Sequence, residues 1–256
     1  MRTQVIAPDT QRALFIKNIL VFDEENHNAT TVLPFFADGY PGLIFHITPN
    51  GQWVQPQNKK MPTGYLYGQT LHPIELQISG TYKIIAFQLY PFVLGIFFNV
   101  NSKHLTDECY DLNQLPDWVI TESELLSTLN TDKQVEIIQS FLYKIFLEKK
   151  EQLDLTIAAA LQEILSNRAQ LTVKELSQKL HITVRTLERR FISAVGISVK
   201  NFIQITKFQQ SLEQLTVKDY KKLTDIVYNN GFADQSHFIR VFKAFTGKTP
   251  KSFLKK

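Results

Sequence analysis

The chain has 256 residues, 44% of them hydrophobic and 20% charged, with a single cysteine, Cys109. That length allows two domains of ~100–200 residues or one large one, and the apolar content excludes disordered, collagen-like and low-complexity chains. One cysteine excludes an intrachain disulfide and a multi-cysteine zinc or iron–sulfur site, which fits a cytoplasmic setting. Residues 1–12 hold no apolar core, and the longest apolar run, 89–98, is interrupted by Pro91 and Gly95, so neither a leader peptide nor a membrane span is expected.

Charge is divided unevenly. Residues 1–150 hold 11 Lys+Arg and 15 Asp+Glu, a net −4, whereas residues 151–256 hold 17 and 9, a net +8. A basic C-terminal part joined to an acidic N-terminal one points to a polyanion partner for the former, with a solvated basic surface as the plain alternative.

The first part reads as mainly β. Leu43 to Ile47 and Tyr65 to Tyr67 are short apolar runs flanked by Gly or Pro. Ile74 to Ile78 alternates apolar and polar residues, Ser79-Gly80 supplies a turn, and Tyr82 to Leu89 resumes as a strand, which predicts a hairpin. Strands at this spacing predict a small antiparallel barrel or sandwich. From Thr131 the period changes: Val135, Ile138, Leu142 and Ile145 form a helical stripe ending near Lys150. Packing on its own domain is the favoured role for that stripe, and pairing two chains is the alternative.

From Leu155 onward the pattern is helical. Leu155 to Ser166 forms a first helix, and Thr172-Val-Lys-Glu175 is a capping box opening a second, with Val173, Leu176 and Leu180 inward. Thr183 caps a third helix, whose buried side is assigned to Val184, Leu187 and Phe191. A longer helix from about Val199 to Leu215 follows, and then the pattern recurs: Leu223 to Asn229, a turn at Asn230-Gly231-Phe232, Asp234 as a cap, and a helix buried through Phe238, Val241, Phe242 and Phe245. The basic part therefore contains a duplicated helix-turn-helix.

Assigning those apolar residues inward leaves Arg185, Glu188 and Arg189 on one outer face at i, i+3 and i+4. In the second unit it leaves Gln235, Ser236 and Arg240 outward, His237 at the margin and Lys243 a turn further on. Arg suits guanine, Gln suits adenine, and Ser or His suits a base or a phosphate. Either face alone is also what a surface salt-bridge cluster or a plain polar face looks like. Two such faces at the same place in repeated units favour duplex DNA. The connecting helix would span ~25 Å, which suits successive major-groove segments ~34 Å apart.

Residues from about Leu155 to Lys256 resemble the DNA-binding domain of the AraC/XylS family of bacterial transcription regulators. The resemblance rests most on Asp225-Ile226, Gly231 to Phe238, Arg240 to Lys243 and Gly247 to Pro250, and in the first unit on Thr183, Leu187, Arg189, Phe191 and Gly196. It implies base reading by Arg185, Glu188, Arg189, Gln235, Ser236, His237 and Arg240; phosphate contacts are expected from Thr183, Lys243 and Lys248. Three departures are Val227 in place of a small Ala, Lys222 in place of a capping Ser or Thr, and His181 where Gly or Asn takes positive φ more easily. The first part resembles, more loosely, the sensor-type domain of such regulators through Leu33-Pro34, Gly39, Leu43 to Phe45, Gly68-Gln69, Phe87, Pro91, Leu105 to Asp107 and Asp111-Leu112. That implies a signal-receiving or dimerising role without naming a ligand.

Catalytic signatures are not apparent: the sequence holds no Gly-rich phosphate loop, nucleophile elbow or His-Glu-x-x-His motif. His46, His72 and His104 have no spacing that demands a metal, and Cys109 lacks the zinc-binding set needed for alkyl-group repair chemistry. Phe35, Phe36, Tyr40, Phe45, Trp53, Tyr65 and Tyr67 read as core, with an aromatic ligand pocket as the alternative.

The expectation is an α+β chain of two domains. Residues 1–150 form a β-rich sensor or association domain, barrel- or sandwich-like, and residues 151–256 an all-α domain with two helix-turn-helix units. The expected function is that of a sequence-specific, non-enzymatic transcription regulator of the cytoplasm, needing no cofactor or metal. Double-stranded DNA is its partner, and a small-molecule effector, RNA polymerase and a second copy of the chain are further candidates. The rival reading is a small-molecule-binding or catalytic N-terminal domain for which DNA binding is secondary.

Overall fold

The computed structural model describes residues 1–167, 169–218, 220 and 222–254; the remaining positions of the expected helical domain lie outside the described residues. The strands in chain order are β1 (Arg2–Ile6), β2 (Ile16–Glu24), β3 (Thr30–Phe35), β4 (Gly42–Ile47), β5 (Gln52–Gln55), β6 (Lys59–Lys60), β7 (Gly64–Tyr67), β8 (Ile74–Ser79), β9 (Tyr82–Leu89) and β10 (Cys109–Asp111). They make two antiparallel sheets, one in the order β1-β2-β9-β4-β7-β10 and one in the order β3-β8-β5-β6.

The expected hairpin of Ile74 to Ile78 with Tyr82 to Leu89 does not form. β8 pairs with β3 and β5, whereas β9 pairs with β2 and β4, so Gly80 at φ +84° is a corner between sheets. The reason lies in the faces. Leu76 and Ile78 of β8 and Ile84 and Ala86 of β9 are buried in one small core, which side chains from two facing sheets can share.

Strand alternation builds a second core on the other face of the large sheet. Along β4, Ile44 points between the sheets, while Leu43 and Phe45 point to a layer formed by α1 (Pro91–Phe98), α2 (Pro116–Leu126) and α3 (Thr131–Lys149). The stripe of Val135, Ile138 and Leu142 on α3 is buried in that layer with Trp118 and Phe87, so it packs on its own domain.

The C-terminal part is helical: α4 (Leu155–Ser166), α5 (Val173–Lys179), α6 (Val184–Val195), α7 (Val199–Val217), α8 (Leu223–Asn229), α9 (Gln235–Thr246) and α10 (Pro250–Phe253). Phe191, Phe202, Phe208, Phe238 and Phe242 sit fully inside one core running through both helix pairs. Burying each such side chain contributes ~1.5–3 kcal/mol. The β-rich part is docked on this core. Ala37 lies within it, Phe36, Leu71 and Phe92 pack against it, and the Gln209 side-chain amide donates to the Ala37 carbonyl.

Candidate nucleic-acid interface

The first helix pair is α5 and α6. Thr172 Oγ1 accepts from the Glu175 N–H at 3.2 Å while the Glu175 carboxylate accepts from the Thr172 N–H at 2.8 Å, which is the capping box read from the sequence. The turn places His181 at φ +53°, in the left-handed region where a side chain is strained. Thr183 Oγ1 then accepts from the Thr186 N–H at 3.1 Å and opens α6, which Gly196 closes at φ +92°.

Leu187 and Phe191 are buried as expected, but Val184 is 42% exposed. A helical side chain leans back over the turn preceding its own Cα, and Val184 is the first residue of α6, with no such turn before it. The expected outer triad also divides. Arg185 and Arg189 are exposed, whereas the Glu188 carboxylate turns inward and accepts from the Val199 N–H at 3.3 Å, at the start of α7. Arg190, for which helical spacing alone indicates no role, pairs with Asp154 ahead of α4 through Nε at 2.8 Å and Nη2 at 2.5 Å.

The second pair is α8 and α9. Lys222 opens α8 with its backbone, its N–H donating to the Asp225 carboxylate at 2.8 Å, so the missing hydroxyl is partly compensated. The turn at Gly231, φ +66°, is braced by Lys207 Nζ donating to the Gly231 carbonyl at 2.8 Å. Burial lowers the Lys207 pKa. Asp234 Oδ1 accepts from the His237 N–H at 2.7 Å and caps α9.

Gln235, Ser236, Arg240, Lys243 and Lys248 are exposed, and Phe238, Val241, Phe242 and Phe245 are buried. The His237 ring is half-buried and edge-on to Phe232, at 5.7 Å between centroids. Each unit thus presents the exposed N-terminal end of a capped helix, the part that meets base edges when such a helix enters a major groove. Thr183, assigned to phosphate, is exposed at the same end of α6.

A second feature lies in the β-rich part. A cavity of about 400 Å³ opens between the sheets, with Phe35, Ile44, Val54, Met61, Tyr65 and Leu76 in its wall. Of the aromatic set, Phe35, Tyr65 and Tyr67 line it, while Phe45 belongs to the helical-layer core and Tyr40 stacks edge-on with Tyr90. At its border Lys59 pairs with Glu108 at 3.3 Å, and the Asp107 carboxylate is hydrogen-bonded to the His72 ring at 2.8 Å. Cys109 also lines it, and burial pushes the thiol up to about 11, which leaves little thiolate at neutral pH. Among the described residues no three His, Cys, Asp or Glu side chains gather as a metal site, and no helix is long and apolar enough to cross a membrane.

Residues 176–256 match a helix-turn-helix domain family, and residues 4–111 match a domain of unknown function, DUF6597. An uncharacterized HTH-type transcriptional regulator of Staphylococcus aureus, SAS0078, is 32% identical over 83 residues, covering 32% of this chain and 11% of that protein. The uncharacterized HTH-type transcriptional regulator YfiF of Bacillus subtilis is 31% identical over 137 residues, covering 52% of this chain and 43% of its own length. The matches therefore span less than half the length of these regulators. Among solved structures, ToxT from Vibrio cholerae is similar over 94% of this chain and 98% of its own, at 14% identity and a TM-score of 0.48. The helix-turn-helix match thus falls on the basic, helical part of the chain and the DUF6597 match on the β-rich part, each over less than half of the chain.

Proposed function

We propose that the protein is a sequence-specific, DNA-binding transcription regulator of the cytoplasm, dividing after residue 150 into a signal-receiving domain and a DNA-reading one. The observation that carries this reading is the repetition of one device. Two capped helices, α6 and α9, each follow a short helix and a tight turn, and each leaves donor side chains exposed at its N-terminal end. Arg185 and Arg189 on α6, and Gln235, Ser236 and Arg240 on α9, are the base readers in this account. Thr183, Lys243 and Lys248 hold phosphates. Glu188 and His237 serve instead to fix the start of α7 and the turn before α9.

The signal site is the cavity between the sheets. Its wall is largely apolar, Lys59 and Glu108 pair with each other and Asp107 is already hydrogen-bonded, so it favours a neutral, mostly apolar small molecule.

The DNA reading is tested by titrating duplex DNA with the full chain across a salt series. Affinity should fall linearly on a log–log plot as counterions are released. Affinity independent of salt would contradict it. A thermal-shift screen of neutral apolar compounds tests the cavity, and bulky residues substituted for Ile44 or Leu76 should abolish any shift it finds.

A further inference from the structure

The cavity is bordered by two chain segments, and each of them also reaches one recognition helix. In the first segment, Thr70 and Ile74 line the cavity, Leu71 packs on the core of the helix-turn-helix part, and the Pro73 ring lies 3.8 Å from where a Cβ on Gly247 would stand, at the end of α9. In the second, Asp107, Glu108 and Cys109 line the cavity, and Thr106 Oγ1 donates to the carbonyl of Gly196, at the end of α6, at 3.3 Å. The Ser102 carbonyl presses on the same glycine, 2.4 Å from where a Cβ would be.

One side chain joins the two segments. Asp107 Oδ1 accepts from the Leu71 N–H at 2.6 Å and the His72 N–H at 3.1 Å, and Oδ2 meets His72 Nδ1 at 2.8 Å. The Asp107 N–H donates in turn to the Gln69 carbonyl at 2.8 Å. Asp107 holds φ +58°, a conformation that Asp and Asn tolerate better than most residues.

We propose that Asp107 is a positioning residue that ties the border of the cavity to the ends of both recognition helices, so that loosening this border changes how the two helices are held relative to each other. Charge-assisted hydrogen bonds of this kind are the strong ones, and here they converge on one carboxylate between two segments distant in sequence. The purpose of the tie rests on the regulator reading, but its existence does not. It is therefore tested without DNA, and either idea can fail alone.

The test places spin labels at Ser193→Cys on α6 and Ala244→Cys on α9, both exposed, in a full chain carrying Cys109→Ser, and measures the distance distribution between them. The parent chain should give one narrow distance. Asp107→Gly removes the carboxylate while keeping φ +58° accessible, and should broaden or split the distribution. Asp107→Asn keeps an acceptor for both N–H groups and should restore it. Glu108→Ala, which breaks only the pair with Lys59, should leave the distribution narrow. If Asp107→Gly fails to fold, Thr106→Val cuts the same path at Gly196 and should broaden the distribution in its place. An unchanged distribution in the folded Asp107→Gly chain, or equal broadening in the Glu108→Ala chain, would overturn the proposal.

Discussion

Gly196 and Gly247 end the two recognition helices with the same left-handed backbone, φ +92° and +72°, but in different surroundings. Gly196 is sealed against Ser102 and Thr106, and α1 packs along α6. Gly247 is exposed and, among the described residues, meets only the Pro73 ring, at ordinary contact distance. A duplicated motif has thus been embedded unequally. The first unit is braced by the β-rich domain along its length, while the second is held there mainly at its end, so the two units differ in freedom.

The largest effect should come from substituting the two glycines. Gly247→Ala incurs only the left-handed strain of ~1–2 kcal/mol, whereas Gly196→Ala adds a clash with the Ser102 carbonyl and should cost ~2–4 kcal/mol. Urea denaturation of both full-length variants measures the gap, and equal losses would show that the seat on Gly196 contributes nothing. Next comes the reading face. Arg240→Ala should cost ~1–3 kcal/mol at its matched base and relax preference there, while Lys243→Ala should weaken all duplexes alike. Equal losses of both variants on specific and random DNA would remove the base-reading assignment.

Two carboxylates, Asp38 and Asp154, should respond oppositely to acid. Burial pushes the Asp38 carboxyl up to about 6 from 3.8, outweighing hydrogen bonds from the Tyr40 N–H and the Gln88 amide. The folded state then binds the proton more tightly than the unfolded one, so this group's penalty shrinks as pH falls from about 6 towards 3.8. Asp38→Asn should therefore stabilise the chain at neutral pH, by ~1–2 kcal/mol, and flatten that stretch of the pH profile. At Asp154 burial raises the pKa, but the Arg190 hydrogen bond and the Ile157 and Thr156 N–H groups more than offset it, and the pKa ends below 3.8. Its stabilisation is present above that value and lost as pH falls through the lowered pKa, a loss that Arg190→Ala should shrink. Thermal melts across pH check both signs. The smallest effect is expected at the first turn, where His181→Gly should raise stability by up to ~1 kcal/mol by relieving the backbone at φ +53°.

The helical part was legible in the sequence because its signals are local. Thr172 with Glu175, Thr183 and Asp234 are caps that act within four residues, and the structure forms each of them. What the sequence did not disclose depends on contacts between distant segments. The turn at Ser79-Gly80 is the same in sequence whether the next strand pairs beside β8 or crosses to the facing sheet, and only the burial of Leu76 opposite Ile84 decides it. Glu188 looked outward by helical spacing, yet the start of α7 supplied a donor that spacing cannot show. The cavity and the Asp107 tie belong to the same class, since their parts lie tens of residues apart and each looks ordinary alone. A glycine closing each recognition helix was the one local pointer to the seats on Gly196 and Gly247.

The central claim is that α6 and α9 read base sequence together. Selection of bound duplexes from a random pool by the full-length protein, at near-physiological salt with a nonspecific competitor, tests it most directly. If both helices read bases, two short boxes with centres about one helical turn, ~10 bp, apart should be enriched. Binding without enrichment of any sequence would contradict it.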